Sequence, residues 1–296
     1  DGHDQYRDPA GHLLHLPRTT GSSIRSITIL ELKTGMRLVS FDALQTLDIP
    51  GVRAIKSENW LKEKELVQSA DWILFPEYWQ INSLVYGLKK RVFPSVSTYH
   101  IGHDKVEIAR AMETVFPAHF PATRILPRTE HAIEQILDEF AFPFVAKKVR
   151  SSMGEGVFLI RNRSDLRNYS NKNEVLFIQE YLPISRDLRV VVIGETVVTA
   201  YWRQAPEGCF HNNVSRGGEV SFDNIPDTAL GLVADVAAAF GIDHAGFDVA
   251  EVDRHCFLLE FNPKFGTQAL NEKGFSPGKT ILDYISRQSV SPGAGP

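Results

Sequence analysis

The chain predicts a mixed architecture: an N-terminal α/β domain on a mainly parallel sheet, followed by two less regular α+β pieces. Three observations carry this expectation. Short β-branched or aromatic runs alternate with helical stretches up to Tyr99. Beyond that point apolar residues recur at helical period, in segments separated by glycine- and proline-containing connections. The strands of the second half also carry isolated polar residues inside apolar runs, where a charge is expensive unless something compensates it.

Residues 1–23 are rich in His, Asp, Gly, Pro and Thr without an apolar period, and read as a poorly ordered tail. Residues 24–100 form the N-terminal domain, with strands expected at Ser26–Leu30, Arg37–Phe41, Val52–Ile55, Trp72–Phe75 and Arg91–Ser95. Helices are expected there near Ser57–Gln68 and Gln80–Lys89. A middle piece, 101–178, opens with a helix from Asp104 to about Phe116, followed by the proline-rich connection Pro117–Pro127. A second helix is capped by Thr129. Strands follow at Phe144–Lys148, at Val157–Ile160 and at Val175–Glu180, with a short helix opened by Ser164 between the last two. The last piece, 179–290, carries strands at Leu188–Ile193, Thr196–Trp202, Gly246–Val252 and Cys256–Asn262. It also holds a helix near Asp227–Phe240 ended by Gly241, and a final helix from Pro277.

Composition narrows the classes. The 296 residues are 43% hydrophobic and 23% charged, with a net charge of -4. Bulk binding to nucleic acid or an anionic membrane needs an excess of Lys and Arg that this chain lacks. No apolar run approaches the roughly 18 residues of a membrane span. The two cysteines, Cys209 and Cys256, have no metal-site spacing and fit a reducing compartment. No secretion-signal pattern opens the chain, which begins at Asp1 as a processed or truncated form would, and the expected location is cytoplasmic.

The sharpest polar constellation is Asp248, Glu260 and Asn262. Glu260 and Asn262 are two apart on one strand and share a face. A three-residue hairpin turn at Asp253-Arg254-His255 sets Asp248 opposite Glu260, and a one-residue slip turns it away. Two carboxylates and an amide oxygen suit a hard cation such as magnesium; a pair of solvated strand carboxylates is the alternative. Lys147 ends an apolar strand and leads into Arg150-Ser151-Ser152-Met153-Gly154-Glu155-Gly156, a loop that can cradle phosphates and close as a lid, or simply make a turn. Phe177-Ile178-Gln179-Glu180-Tyr181-Leu182 is a strand running into an extended segment, able to present backbone groups to a flat base. Arg203, with His211, Asn212, Asn213 and Arg216-Gly217-Gly218, groups basic and amide side chains around glycines, as a site of developing negative charge does; a polar surface loop reads the same way. Gly274-Phe275-Ser276-Pro277-Gly278-Lys279-Thr280 mimics a P-loop, but is one residue short between its glycines and contains Pro277. It reads as the cap of the last helix.

Taken in order, these pieces resemble the ATP-grasp superfamily, in its ribosomal-protein glutamate ligase (RimK-type) branch. The resemblance runs from about Gly102 to Ile285. It rests on His103-Asp104-Lys105, Lys147 with its loop, Gln179-Glu180-Tyr181, Asp187-Leu188-Arg189, Arg203, Asn213 with Arg216-Gly217-Gly218, Ala245-Gly246-Phe247-Asp248 and Glu260-Phe261-Asn262. It implies an ATP-grasp fold, with a parallel-sheet pre-ATP-grasp domain and two α+β subdomains enclosing ATP. It further implies Lys105 and Lys147 on phosphates under a lid containing Ser152, Gly154 and Gly156. Gln179, Glu180, Tyr181 and Leu182 would hold adenine, with Asp187 near the nucleotide or the bound carboxylate. Asp248, Glu260 and Asn262 would bind one or two Mg²⁺ ions, for which Mn²⁺ is an admissible substitute. Arg203, Asn213 and Arg216 would act in catalysis on the transferring phosphoryl group. The implied reaction joins a small-molecule or peptide carboxylate to an amine through an acyl-phosphate, releasing ADP and phosphate, and homo-oligomers occur in the branch. Two departures stand out. Met153 lies in a lid where the branch often has another glycine, and Pro263-Lys264-Phe265-Gly266 replaces a small residue and a Pro-Gly step near the acceptor. A nucleotide-binding regulator or a phosphotransferase are the competing readings.

Overall fold

The computed structural model describes residues 35–151, 156–204, 219–266 and 275–290. The expected tail, the strand at Ser26–Leu30, and Cys209 lie outside them. Strands β1 (Leu38–Ser40), β2 (Arg53–Ala54), β3 (Trp72–Leu74) and β4 (Arg91–Phe93) form a parallel sheet in the order β2-β1-β3-β4. The central strands β1 and β3 are buried on both faces, which is why Trp72–Leu74 reads as an unbroken apolar run, whereas the edge strand β2 is exposed. Val39, Ile73 and Val92 point into one core with Val67 and Leu84. Leu38, Trp72, Leu74 and Phe93 point into another that includes Val191, Ile193 and Ile285 from far along the chain.

The two expected helices of this region are shorter than their sequence pattern suggests. Ser57–Gln68 resolves into a 3₁₀ turn (Ser57–Asn59) and α1 (Lys64–Ser69). Gln80–Lys89 becomes a 3₁₀ turn at Tyr78–Gln80 and a π-helical turn at Ser83–Gly87. The wider π turn buries Leu84 and Val85. An unexpected helix, α2 (Val96–Ile101), is capped by Ser95 Oγ accepting from Thr98 N at 3.1 Å. Helix α3 (Lys105–Val115) starts as expected, with the Asp104 carboxylate accepting from Val106 N and Glu107 N.

The second sheet is antiparallel, in the order β5-β8-β6-β7. Its strands are β5 (Thr123–Pro127), β6 (Phe144–Lys147), β7 (Val157–Ile160) and β8 (Val175–Glu180). β5 falls inside the proline-rich connection and so is masked in the sequence; as an edge strand it tolerates Pro127. α4 (Glu130–Glu139) and α5 (Arg163–Ser170) cover one face. Thr129 caps α4 as expected, whereas Asn162, not Ser164, caps α5.

The third sheet is antiparallel in the order β11-β10-β9-β12-β13. It comprises β9 (Arg186–Ile193), β10 (Thr196–Gln204), β11 (Glu219–Ser221), β12 (His244–Val252) and β13 (His255–Asn262). Leu188, Val190 and Val192 pack with Val233 and Val236 of α6 (Asp227–Phe240) and Met112 of α3. The alternate residues of β9 face the other way. Val191 and Ile193 meet the first sheet, while Asp187 and Arg189 meet charged partners. α6 ends on Gly241 at φ 65°, the left-handed cap expected of it. The last helix, α7 (Pro277–Val290), begins where Ser276 Oγ and Gly278 N both reach Asp48 Oδ2, at 2.7 and 2.8 Å. That contact accords with the capping role read for this P-loop-like segment, of which Gly274 lies outside the described residues.

Candidate active site

The site face of the third sheet is built by strand alternation. β10 pairs Arg203 with Asp187 and Tyr201 with Arg189; β12 pairs Asp248 with Arg189 on one side and with Glu260 on the other. One row of side chains therefore crosses four strands. The turn that sets the last pair differs from the one expected. Val252 pairs with His255, so the turn has two residues, Asp253 (φ 51°) and Arg254 (φ 66°). A bulge at Leu259, where Val249 meets Leu258 and Asp248 meets Glu260, restores the expected partnership.

Two charge groups share this face. Arg203 Nε and Nη2 grip Asp187 in a bidentate pair at 2.7 and 2.8 Å, and Nη2 also lies 2.9 Å from Asp248 Oδ1. Arg189 Nε lies 2.7 Å from the same oxygen, and its Nη2 donates to Oδ2 at 3.3 Å. Despite these close cations, Asp248 Oδ1 and Arg189 Nε are buried without an aligned hydrogen bond. Burial pushes the Asp187 carboxyl up to about 6, with Arg203 opposing and Asp248 adding to the rise. Burial also works against the Arg203 charge, but Asp248 and Asp187 overcome it and hold the guanidinium protonated.

The second group surrounds Glu260. Lys105 Nζ sits 3.3 Å from Glu260 Oε2, and Asn262 Nδ2 donates to Oε1 at 3.3 Å, leaving the amide oxygen as an acceptor. Burial raises the Glu260 carboxyl, but Lys105 and Lys147 outweigh it and hold it below its ordinary value. Lys147, at the end of β6, is 7% exposed, and burial depresses its ammonium to about 8, with Lys105 adding to the fall and Glu260 opposing. Two lysines thus converge on one carboxylate beside a cavity of about 140 Å³, lined by His103, Lys105, Ser151, Glu260 and Asn262. α3 reaches it because Gly102 lets α2 pass close to β13; a Cβ there would meet Thr98 O at 2.7 Å and Phe261 Cε2 at 2.9 Å. The glycine loop is anchored at its base by Lys148 N to Gly156 O (2.7 Å) and by Lys105 Nζ to Ser151 O (3.1 Å).

Within the expected adenine segment Gln179–Leu182, the first two residues are engaged inside the protein. Gln179 pairs with both Thr123 and Val145, and its amide donates to Thr123 Oγ1 at 2.9 Å, so it supports the strand end. Glu180 is tied to Ala122 through N–H to O (2.9 Å) and through its carboxylate accepting from Ala122 N (2.7 Å). Tyr181 and Leu182 follow the last paired residue. Ser152, Gly154, Asn213 and Arg216 lie outside the described residues, as do His211, Asn212 and Gly217. The sequence reading gave no role to Arg189, although its spacing of two from Asp187 put both on one face.

Among the described residues no three His, Cys, Asp or Glu side chains gather as a metal cluster. The set that remains is the one read from sequence: Asp248 with a buried oxygen lacking an aligned donor, Glu260, and the Asn262 amide. Oxygen donors of this kind fit a hard divalent cation.

Three comparisons bear on this arrangement. The "RimK domain protein ATP-grasp" of Sphaerobacter thermophilus superimposes with a TM-score of 0.63 at 15% identity, over 84% of this chain and 98% of that one, which defines the fold as ATP-grasp. A "Probable alpha-L-glutamate ligase" of Citrobacter koseri is 30% identical over 155 residues, 50% of this chain and 52% of that protein. The "Ribosomal protein bS6--L-glutamate ligase" of Escherichia fergusonii is 28% identical over 215 residues, covering 68% and 71%. The chain thus spans about half the length of the first relative and more of the second. The RimK-like ATP-grasp domain model matches residues 111–285, and the chain belongs to that family. Among the described residues no helix is long and apolar enough to cross a membrane.

Proposed function

We propose that the protein is an ATP-dependent carboxylate–amine ligase. The observation that carries this reading is the convergence of Lys105 and Lys147 on Glu260, directly across the β12–β13 pair from Asp248. Two cations beside paired carboxylates suit the phosphates of Mg-ATP, and the family match supplies the reaction class.

Asp248, Glu260 and Asn262 would hold one or two magnesium ions, which when bound neutralise phosphate charge. Lys105 and Lys147 hold the phosphates, and Tyr181 and Leu182 border the base. The substrate carboxylate attacks the γ-phosphorus, the β–γ bridging bond breaks, and ADP leaves with that electron pair. Arg203, locked by Asp187, and Arg189 hold the negative field around Asp248 in place during transfer, so the site works chiefly by positioning and charge stabilisation. The amine then attacks the acyl carbon and inorganic phosphate departs. Asn213 and Arg216 are assigned to the same phosphoryl group from the family resemblance. Homologues named for glutamate ligation make amino acids and peptides the first substrates to try.

ADP release from Mg-ATP across a panel of carboxylates and amines tests the reading, beside the double variant Asp248→Asn/Glu260→Gln. Release that requires both substrates and disappears in the variant is expected. ADP release that requires only one substrate, with a phosphorylated product, would replace the ligase by a phosphotransferase.

A further inference from the structure

All strands of the first sheet are parallel, so the segments that follow β1, β2 and β3 emerge at one edge, the carboxyl edge. Those three segments carry a concentration of exposed large apolar side chains. Leu44 and Leu47, after β1, are 79% and 78% exposed; Leu61, after β2, is 67% exposed; Trp79, after β3, is 57% exposed. The segments after β2 and β3 touch each other, since Trp60 meets Trp79 edge-to-face with ring centroids 6.4 Å apart.

This edge is continuous with the candidate active site. Tyr78 stacks on His103 at 3.7 Å, with planes 13° apart, and His103 lines the cavity that holds Lys105 and Glu260. Between crest and cavity sits a charged lip. Lys264, two residues beyond Asn262, has its ammonium 3.2 Å from Glu77 Oε1 and 4.0 Å from Asp42 Oδ2. Two carboxylates on one lysine leave the lip short of positive charge. A carboxylate pair beside the exposed faces of Tyr78 and Trp79 is the chemistry that receives an ammonium group. Exposed apolar surface rimmed by charge, with aromatic anchors, is also the usual make-up of a protein-binding surface.

We propose that the carboxyl edge of the first sheet is the docking platform for the amine-bearing substrate, and that this substrate is a polypeptide. Its free amino group enters over Glu77 and Asp42, and the apolar side chains that follow lie on Leu44, Leu61 and Trp79. The proposal rests on the ligase reading for the fate of the amine, but docking itself is separable from turnover.

Two readouts keep the two apart. Hydroxylamine trapping of an acyl-phosphate, with Mg-ATP and the carboxylate panel, reads the first half-reaction without the amine substrate. Isothermal titration reads docking, using a hexapeptide amide with a free amino terminus and leucines at its second to fourth positions, in the presence of a non-hydrolysable Mg-ATP analogue. Its N-acetylated form and glycinamide are the controls. The variant Leu61→Ala/Trp79→Ala changes two exposed side chains outside the catalytic machinery and should fold as the parent does. The peptide is expected to bind about tenfold more weakly to this variant, as befits the loss of apolar anchors. N-acetylation is expected to weaken binding to the parent, glycinamide to be indifferent to the variant, and hydroxamate formation to be unchanged by it. Equal binding of the peptide to parent and variant, or no binding to the parent, overturns the platform. So does a change in sedimentation behaviour alone, which would assign the crest to a second copy of the chain. Failure to trap any hydroxamate counts against the ligase reading, while the titration still decides the docking surface.

Discussion

Asp248 stands opposite Glu260 because the bulge at Leu259 offsets a hairpin turn of only two residues, Asp253 and Arg254. Both turn residues have left-handed backbone angles, the pattern of a type I′ turn, in which Asn-Gly is the favoured pair. A non-glycine residue held in that region costs on the order of 1 kcal/mol. The variant Asp253→Asn/Arg254→Gly should therefore raise stability by about 1 kcal/mol in denaturant titration and leave ADP release unaltered. A drop in stability would mean that the side chains of Asp253 or Arg254 contribute contacts that outweigh the backbone relief.

Gly246 faces the Arg189 side chain so closely that an added Cβ would collide with its guanidinium and lie 3.1 Å from Cδ. Arg189 is flexible and can swing away, but only by leaving Asp248. Gly246→Ala should then keep the fold and cut ADP release by roughly tenfold or more, the scale of a lost charge-positioning contact. Circular dichroism and turnover on the same sample check it; turnover at the parent rate would show that the Arg189–Asp248 contact is dispensable.

Much of this site was legible because strands impose a period of two. Glu260 and Asn262, and separately Asp187 and Arg189, share faces by spacing alone, and the expected Asp248–Glu260 partnership survives a turn that differs from the one expected. What sequence obscured has local causes. β5 lies among prolines that an edge strand tolerates, and the π turn at Ser83–Gly87 is wider than the 3.6-residue period that the sequence pattern was read on. The inward turn of Gln179 onto Thr123 depends on a partner 56 residues earlier, which no local window contains. Neither does one hold the Lys264–Glu77 contact, which spans 187 residues.

Asp243 ties α2 to the third sheet: it accepts from Ser95 N at 2.7 Å and from Thr98 Oγ1 at 3.2 Å, and Tyr284 reaches it from α7. Burial pushes its carboxyl up to about 6, with the Ser95 and Thr98 hydrogen bonds opposing. A folded-state value above the unfolded one means that the folded protein binds the proton more tightly. The stability so contributed is complete below about pH 4 and is lost as pH rises through 6. Asp243→Asn removes this dependence. The stability of the variant relative to the parent should climb by on the order of 3 kcal/mol between pH 4 and 7. Parallel unfolding curves for parent and variant across that range would show that Asp243 ionises without cost.

Lys147 is a buried ammonium whose charge its surroundings disfavour: burial lowers it to about 8, with Lys105 pressing the same way and Glu260 opposing. On the proposed ligase reading, the phosphate oxygens of the nucleotide offset that cost, beside Lys105. Lys147→Met keeps the side-chain length and removes the charge, while Glu260 retains Lys105 at 3.3 Å. Removing one partner of a buried ion pair is destabilising when it leaves the other charge alone, but here Lys105 keeps Glu260 paired, and what is lost is a charge that burial disfavours. The variant should accordingly unfold at equal or higher temperature without ligand, and bind ATP at least about tenfold more weakly in a fluorescent-nucleotide titration. The two effects are opposed in sign, which separates a ligand-holding lysine from a structural one: a lysine serving only the fold would lose stability on substitution and leave nucleotide affinity where it was.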